Sequence, residues 1–296
     1  NHALYNIIYC FESLKDADGA IAYMNEFLNR DPYNEVAWHQ LGRQYLAKQM
    51  YEQAITAFDF AVICDDNFIG AYLELGKALE HLGRYNEAIN HYEITLSIDD
   101  PTAFALLRIG ACHLKLKNDA LGIKFLKKAI HEDPLLDKTW LTLCGHYMRT
   151  KSYAKVLHYI KKAVKIDSGH AKYWRLYAQA NKALGFFEEA NLAYERMVNL
   201  GNYELQTWLD WAGVLLQLQD YTKGIEALRQ GLEFHPENSS LNYMLAGFYM
   251  MEAKANEASF FLKNAYAINP NELDVLYETF PASRASVLVK DTLSIS

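Results

Sequence analysis

The chain has 296 residues, of which 51% are hydrophobic and 14% aromatic, enough apolar material for a sizeable buried core. Acidic residues outnumber basic ones by 36 to 29, and the net charge of −7 argues against nucleic-acid binding by the whole surface, since phosphate groups need a basic face. No apolar run approaches the ~20 residues that a membrane-spanning helix needs, and we expect a cytoplasmic protein.

Large side chains recur at intervals of 34 residues along almost the whole chain. The clearest column starts at Leu4 and continues through Trp38, Tyr72, Leu106, Trp140, Trp174 and Trp208. A column of small residues runs parallel to it, at Gly42, Gly76, Gly110, Cys144, Ala178, Ala212 and Ala246. Eight repeats of 34 residues therefore fill positions 1–272 without insertion or deletion. They start at residues 1, 35, 69, 103, 137, 171, 205 and 239. A period of this length is typical of a stacked array of helical hairpins.

Each repeat predicts two amphipathic helices, because apolar residues recur at three- and four-residue spacing through positions 3–13 and again through positions 20–28. In repeat 3 we expect these helices at residues 70–82 and 86–98. The small residues at positions 8 and 20 are expected where the two helices cross closely, since a larger side chain would push their axes apart. Prolines at position 32, such as Pro32 and Pro134, mark the ends of repeats.

The two ends of the array lead to different expectations. Residues 273–281 continue as one more first helix, with Leu276 in the column of large residues, and we expect this helix to cap the last repeat. Residues 282–296 are predicted to be a short docked helix or a flexible tail; residues 286–289 suit a helix or a strand, and 293–296 are expected to be loose. Repeat 1 has no visible cap, which indicates missing upstream repeats or a homo-oligomer contact. The apolar residues that it would expose are Ile7, Ile8, Phe11 or Met24.

Reactive side chains form no recognisable catalytic or metal-binding pattern in the sequence. The cysteines include no C-x-x-C pair, and we interpret them as small buried residues in a reducing compartment. They are Cys10, Cys64, Cys112 and Cys144. The ten histidines are scattered, and the motifs of nucleotide-binding loops, zinc proteases and serine hydrolases do not occur. We therefore expect no enzyme activity, no cofactor and no metal.

The repeat pattern resembles the tetratricopeptide repeat over about nine-tenths of the chain. Repeat 2 carries the resemblance most fully, through Trp38, Leu41, Gly42, Tyr45, Ala54, Phe58 and Ala61. The resemblance implies an all-α fold, a right-handed α–α superhelical solenoid of eight 34-residue helix-turn-helix repeats with a C-terminal capping helix. Because this architecture serves many functions, the ligand has to be argued from the residues of the binding face.

In that family the first helix of each repeat lines the concave face, mainly through positions 2, 5, 6, 9, 12 and 13. In repeats 4–6 of this chain these positions hold cations and no acid, at Arg108, Lys115, Lys138, Arg149, Lys172, Arg175 and Lys182. Glycines at position 9, namely Gly145, Gly213 and Gly247, would let a bound chain approach the helix backbone. The candidate peptide-binding residues are Arg43, Lys77, His81, Arg108, Lys115, Arg149, Arg175, Gln179, Lys182, Leu209, Tyr243 and Met250.

These residues favour a non-catalytic scaffold or adaptor that binds an extended acidic-plus-hydrophobic segment of a partner protein in its groove. Two alternatives stay open. The chain could be the substrate-binding or oligomerising repeat region of a larger enzyme or regulator, or a peptide-sensing regulator. The basic residues also have a simpler interpretation, in which long Lys and Arg side chains only solvate the inner wall.

Overall fold

Helices account for the regular structure between residues 2 and 293, the part of the chain that the computed structural model describes. Eighteen α-helices lie in this range, so the predicted all-α fold is confirmed. Residues 294–296, which belong to the tail predicted to be loose, lie outside the described residues.

The helices alternate between the first and the second helix of each repeat. The first helices are α1 (His2–Leu14), α3 (Glu35–Ala47), α5 (Ile69–His81), α7 (Ala103–Lys115), α9 (Asp137–Arg149), α11 (Ala171–Ala183), α13 (Leu205–Gln217) and α15 (Ser239–Met251). The second helices are α2 (Ala17–Arg30), α4 (Tyr51–Cys64), α6 (Tyr85–Ile98), α8 (Asp119–Glu132), α10 (Tyr153–Ile166), α12 (Phe187–Asn199), α14 (Tyr221–Phe234) and α16 (Ala255–Ile268). The chain continues with α17 (Leu273–Thr279) and α18 (Val287–Leu293), each preceded by a short 3-10 segment, Pro270–Glu272 and Pro281–Ala285.

The packing of these helices divides into two compact units, residues 2–143 and residues 144–293. In the first unit the two helices of a repeat pack together, and the second helix of each repeat also packs on the first helix of the next. The second unit has the same arrangement from α10 to α16. A hairpin in such an array buries its apolar face against its neighbours, which accounts for the 34-residue spacing of the large residues.

Small residues lie where the first and second helices of a repeat cross, as predicted. A methyl group added at Gly76 would lie 2.5 Å from the ring of Tyr92, and one at Gly42 would lie 2.5 Å from the ring of Phe58. Both rings belong to the second helix of the same repeat and are fully buried. Glycine at position 8 therefore lets an aromatic side chain fill the space at the crossing.

Tryptophans at position 4 link successive repeats through a recurring hydrogen bond. The indole Nε1–H of Trp38 donates to the carbonyl oxygen of Pro32, at 2.8 Å. Trp140 and Trp174 make the same bond, also at 2.8 Å, to the carbonyls of Pro134 and Ser168. Because position 32 lies just after the second helix of the preceding repeat, each bond joins the first helix of one repeat to the turn that precedes it.

The segment after repeat 8 packs on it through the two short helices. Helix α17 lies against α15, and α18 lies against α16. Leu276, Phe280 and Val289 of this segment are buried. The ring of Phe280 covers Gly247 so closely that an added methyl group would meet it at 2.1 Å. Residues 287–293 are helical, which decides between the helix and the strand predicted for this stretch.

The expectations for repeat 1 and for two of the cysteines need correction. Ile8 and Met24 are buried, because they face each other and repeat 2 inside the first hairpin. The exposed large apolar side chains of α1 are Tyr5, Tyr9 and Leu14, at 44%, 69% and 76% of their full area. Contact with another chain through this end stays a prediction. Cys10 is exposed and Cys64 half-buried, whereas Cys112 and Cys144 are buried as expected.

Candidate protein-interaction face

The candidate face consists of positions 2, 5, 6, 9, 12 and 13 of the first helices, which we call the first-helix face. In the first unit one of its cations is largely buried, because Arg108 binds an acid from the preceding repeat. The Arg108 Nε–H donates to Oε1 of Glu80 at 2.8 Å, and the Tyr92 hydroxyl donates to the same oxygen at 2.7 Å. The side chains of Arg108 and Glu80 are only 17% and 16% exposed. Arg108 is thus a structural group and not a free anchor for an acidic ligand.

The remaining candidate residues of the first unit, apart from Lys115, also have partners within the chain. Arg43 lies 3.9 Å from a carboxylate oxygen of Glu12, and Lys77 binds Glu74 at 2.7 Å. The ring of His81 stacks on Tyr51, with 4.7 Å between their centroids. Lys115 is exposed and forms no ion pair within the described residues. In this unit the first-helix face is therefore largely neutralised by neighbouring acids.

The second unit presents cations that no acid neutralises. Arg149 at the end of α9 and Lys172 at the start of α11 are exposed and form no ion pair with any described residue. Gly145 lies one turn before Arg149, and a methyl group added there would meet no atom within 4 Å. At Gly213 on α13 such a group would meet only the Lys182 Nζ, at 3.8 Å. These glycines leave the helix backbone open to an approaching chain.

Two further cations of the second unit are bound to acids. A guanidinium nitrogen of Arg175 lies 2.5 Å from a carboxylate oxygen of Glu204, and the Lys182 Nζ lies 3.0 Å from Oδ1 of Asp210. Gln179 lies between these pairs, half-buried, on the same helix α11. Arg175, Gln179 and Asp210 line one cavity of about 50 Å³, together with Tyr194, Met197, Gln206 and Thr207. The structure thus brings Arg175 and Gln179 together around this cavity, and Lys182 binds the Asp210 carboxylate that lines it.

The predicted apolar anchors of repeat 8 are only partly available. Tyr243 is fully buried, and its hydroxyl donates to the carbonyl oxygen of Asn269 at 3.1 Å. Burial also raises the pKa of Tyr243 to about 12, so this phenol stays protonated. Gly247 is covered by Phe280. Tyr243 and Gly247 are therefore corrected from candidate binding positions to core positions, whereas Leu209 and Met250 are half-buried and keep part of their surface in solvent.

The acids that pair with these cations could have been found in the sequence. Glu80 and Arg108 are 28 residues apart, and so are Lys182 and Asp210. This separation joins position 12 of one repeat to position 6 of the next. An opposite charge at that spacing is therefore the signal that distinguishes a paired cation from an unpaired one.

Two searches of the described residues give negative findings. Between residues 2 and 293, no group of three or more His, Cys, Asp or Glu side chains is placed to hold a metal ion. No helix in the same range has the length and apolar character needed to cross a membrane.

Comparison with known proteins identifies the repeats. Sequence profiles of the tetratricopeptide repeat match residues 2–32, 39–103 and 73–136. The matched residues are therefore tetratricopeptide repeats, as the sequence pattern predicted, and proteins with such repeats generally mediate protein–protein interactions. Residues 137–272 continue the same 34-residue period with the same alternation of helices.

Curated relatives and a solved structure support this assignment. The chain is 25% identical over 236 residues to the BBSome complex member BBS4 of Bos taurus, covering 75% of this chain and 45% of that protein. It is 22% identical over 252 residues to the anaphase-promoting complex subunit cut9 of Schizosaccharomyces pombe, covering 84% and 33%. The C-terminal part of a TPR repeat-containing protein from Cytophaga hutchinsonii shares the fold with a TM-score of 0.66, at 16% identity, covering 80% of this chain and 98% of that one. The chain thus spans less than half the length of these two curated relatives.

Proposed function

We propose that this chain is a non-catalytic interaction module that holds an extended segment of a partner protein on the first-helix face of residues 144–293. The segment carries acidic residues that contact Arg149, Lys172 and the exposed part of Arg175. Its apolar side chains lie beside Leu209 and Met250. Extended segments bind in this way through a few well-placed anchors and through charge complementarity.

The observation that carries the proposal is an exposed cation beside an uncrowded glycine. Gly145 and Arg149 are four residues apart on α9, so they lie on the same side of that helix. The glycine lets a bound backbone come close, and the arginine offers it a charge that no described carboxylate neutralises. If Arg149 only solvated the surface of the helix, open space beside the backbone at Gly145 would not be needed.

The relatives suggest the setting in which such a module works. Two of them are named as a member of the BBSome complex and as a subunit of the anaphase-promoting complex. We propose by analogy that this chain is a scaffold subunit of a multi-protein assembly, and that the bound segment belongs to another subunit. This is an argument from fold and family, so the site residues have to be tested directly.

Site-specific photocrosslinking tests the proposal. A benzophenone amino acid is placed at Lys172 on the first-helix face, and in a matched control at Lys165, which is exposed on the second helix α10. We expect the probe at position 172 to capture one partner protein through a defined segment rich in Asp or Glu, and the probe at position 165 to capture none. Equal capture from both positions, or no capture from position 172, would contradict the proposal.

A further inference from the structure

The cavity between α11, α12 and α13 is lined by one buried polar atom, the Tyr194 hydroxyl, that has no hydrogen-bond partner among the described residues. Tyr194 is only 1% exposed, so this hydroxyl is shielded from solvent as well as unpaired. Leaving a buried hydroxyl unpaired costs roughly 1–3 kcal/mol, so an unpaired one beside a cavity indicates a place for a ligand atom. The volume of about 50 Å³ exceeds the ~10–15 Å³ that one water needs, and it suits the polar end of a side chain.

Repeats 3 and 4 show how the hydroxyl of a tyrosine at position 24 can be satisfied by charged residues at position 12 of the same repeat and position 6 of the next. There the tyrosine at position 24, Tyr92, donates to Glu80, and Glu80 also binds Arg108. In repeats 6 and 7 the charges are exchanged, with Lys182 in place of the acid and Asp210 in place of the arginine. The acceptor that satisfies Tyr92 therefore has no counterpart beneath Tyr194. The unpaired hydroxyl follows from this exchange of charges.

The chemistry of the lining selects among ligand groups. The lining contains one cation, Arg175, and one acid, Asp210, which pair with Glu204 and Lys182, so the pocket has no net charge to attract an ion. It offers a hydroxyl donor on Tyr194, donors and an acceptor on the Gln179 amide, and carboxylate oxygens on Asp210. A carboxamide presents one acceptor and two donors in a neutral group, which matches this set.

We propose that this cavity is a specificity pocket for the side-chain carboxamide of an Asn or Gln residue in the bound partner segment. Its carbonyl oxygen accepts from the Tyr194 hydroxyl, and its NH2 group donates to Asp210 or Gln179. The proposal rests on the proposed function, because the carboxamide belongs to the segment held on the first-helix face. It adds a neutral anchor to the acidic residues that contact Arg149 and Lys172.

The first experiment tests whether the hydroxyl is unpaired in the free protein. Tyr194→Phe removes a buried group without a partner, so the melting temperature of the full chain should stay the same or rise. Tyr92→Phe is the matched control, because it removes a hydroxyl bonded to Glu80 and should lower the melting temperature by about 2–4 °C. If Tyr194→Phe lowers it as much as Tyr92→Phe does, the Tyr194 hydroxyl has a partner and the proposal is wrong.

The second experiment tests the ligand class with a phage-displayed library of random dodecapeptides. Peptides selected on the full chain should be enriched in Asn or Gln at one fixed place, and selection on the Tyr194→Phe variant should lose that enrichment. Replacing this residue of a selected peptide by Asp or Leu should weaken binding at least tenfold in the wild type. The same replacement should have little effect in Tyr194→Phe, because a site built to hydrogen-bond a group discriminates against analogues that lack it.

The outcomes separate this pocket from the general function. Peptides that bind but lack the enrichment, keep it on Tyr194→Phe, or carry Asp or Glu at that place would overturn the carboxamide pocket. If their binding still depends on Arg149 and Lys172, the proposed function stands. A library that yields no binder for the wild-type chain would count against both.

Discussion

At position 15 of every repeat the chain adopts a positive φ, although only two of the eight residues there are glycines. The glycines are Gly83 and Gly185, with φ of 74° and 78°. The other residues at this position are Lys15, Gln49, Lys117, Lys151, Gln219 and Ala253, with φ between 52° and 61°. This left-handed conformation ends the first helix and costs a residue with a side chain roughly 1–2 kcal/mol. The repeat imposes this backbone at each turn, whatever residue the sequence supplies.

Exchanging glycine and alanine at this position should therefore change stability in opposite directions. Ala253→Gly should raise the free energy of unfolding by up to about 1 kcal/mol, because glycine adopts a positive φ without steric cost. Gly83→Ala should lower it by a similar amount, since an added methyl group would meet no atom within 4 Å and only the backbone is strained. Urea denaturation of the two variants measures both effects. Changes of the same sign would contradict this account of the turn.

His39 gives the first unit a pH-dependent stability. Burial among aromatic rings and the nearby Arg43 lower its pKa to about 4, from an ordinary value of 6.5, with Glu74 opposing and Lys77 adding to the shift. The unfolded chain binds a proton near pH 6.5, whereas the folded chain stays neutral at this position until about pH 4. The stabilisation is thus complete above pH 6.5 and is lost as the pH falls towards 4.

The His39→Phe variant tests this assignment because it fills the aromatic site without a titratable group. We expect the free energy of unfolding of the wild type to fall more steeply between pH 7 and pH 5 than that of the variant, as measured by chemical denaturation. Parallel pH profiles for the two proteins would show that His39 is not the group responsible.

At the scale of helices, a substitution at one helix crossing tests how far a loss of stability extends into neighbouring repeats. Gly76→Leu places a side chain against the ring of Tyr92, and overpacking of this kind typically costs ~1–3 kcal/mol. Because α5 and α6 also pack on α4 and α7, loss of hydrogen-exchange protection should spread into repeats 2 and 4. Gly145→Leu is the control, since open space surrounds that glycine. Loss confined to a few residues around position 76 would count against the stacked-repeat account.

The C-terminal helices make a second element-scale prediction. Truncation after Pro270 removes α17 and α18 and should expose Tyr243, Phe248 and Leu262, which are buried in the intact chain. Phe260 of α16 is already 59% exposed in the intact chain, so the truncation does not uncover it. A new apolar surface of this kind favours association, so light scattering should detect oligomers or aggregates. A truncated chain that stays monomeric and equally soluble would show that α17 and α18 are not a cap.

The sequence predicted the helices and their crossings well because one 34-residue period specifies both. It was less successful with individual side chains of the candidate face, for physical reasons that differ from residue to residue. The sequence predicts Arg108 as a binding residue, whereas the structure pairs it with Glu80, which lies 28 residues away in another repeat. Tyr243 is predicted as an anchor from its position on the first helix, but the period does not specify how closely the segment after repeat 8 packs on α15. Arg149 and Lys172, without such partners, stay candidates for binding.

For the molecule as a whole, a net charge of −7 sets a condition on the proposed binding. The net negative charge repels an acidic segment, and unpaired cations attract it, so under the proposed function we expect Arg149 and Lys172 to set its place of binding. Added salt screens both effects, but it weakens the short-range contacts of a bound segment only in part. The affinity for an acidic segment should therefore fall with salt, and the fall should be smaller in a variant without these two cations.

The most direct test of the interaction face is the affinity of the crosslinked partner segment for two charge-reversal variants. The first variant carries two reversals on the first-helix face, Arg149→Glu and Lys172→Glu. The control variant carries two reversals at exposed lysines of second helices in the same unit, Lys165→Glu and Lys263→Glu. Each reversal subtracts two charges, so both variants carry −11 instead of −7. Fluorescence anisotropy should show at least a tenfold weaker Kd for the first variant, about 1.4 kcal/mol, and little change for the second, with equal helix content in both. Equal weakening by both variants, or no weakening by either, would contradict the proposed binding face.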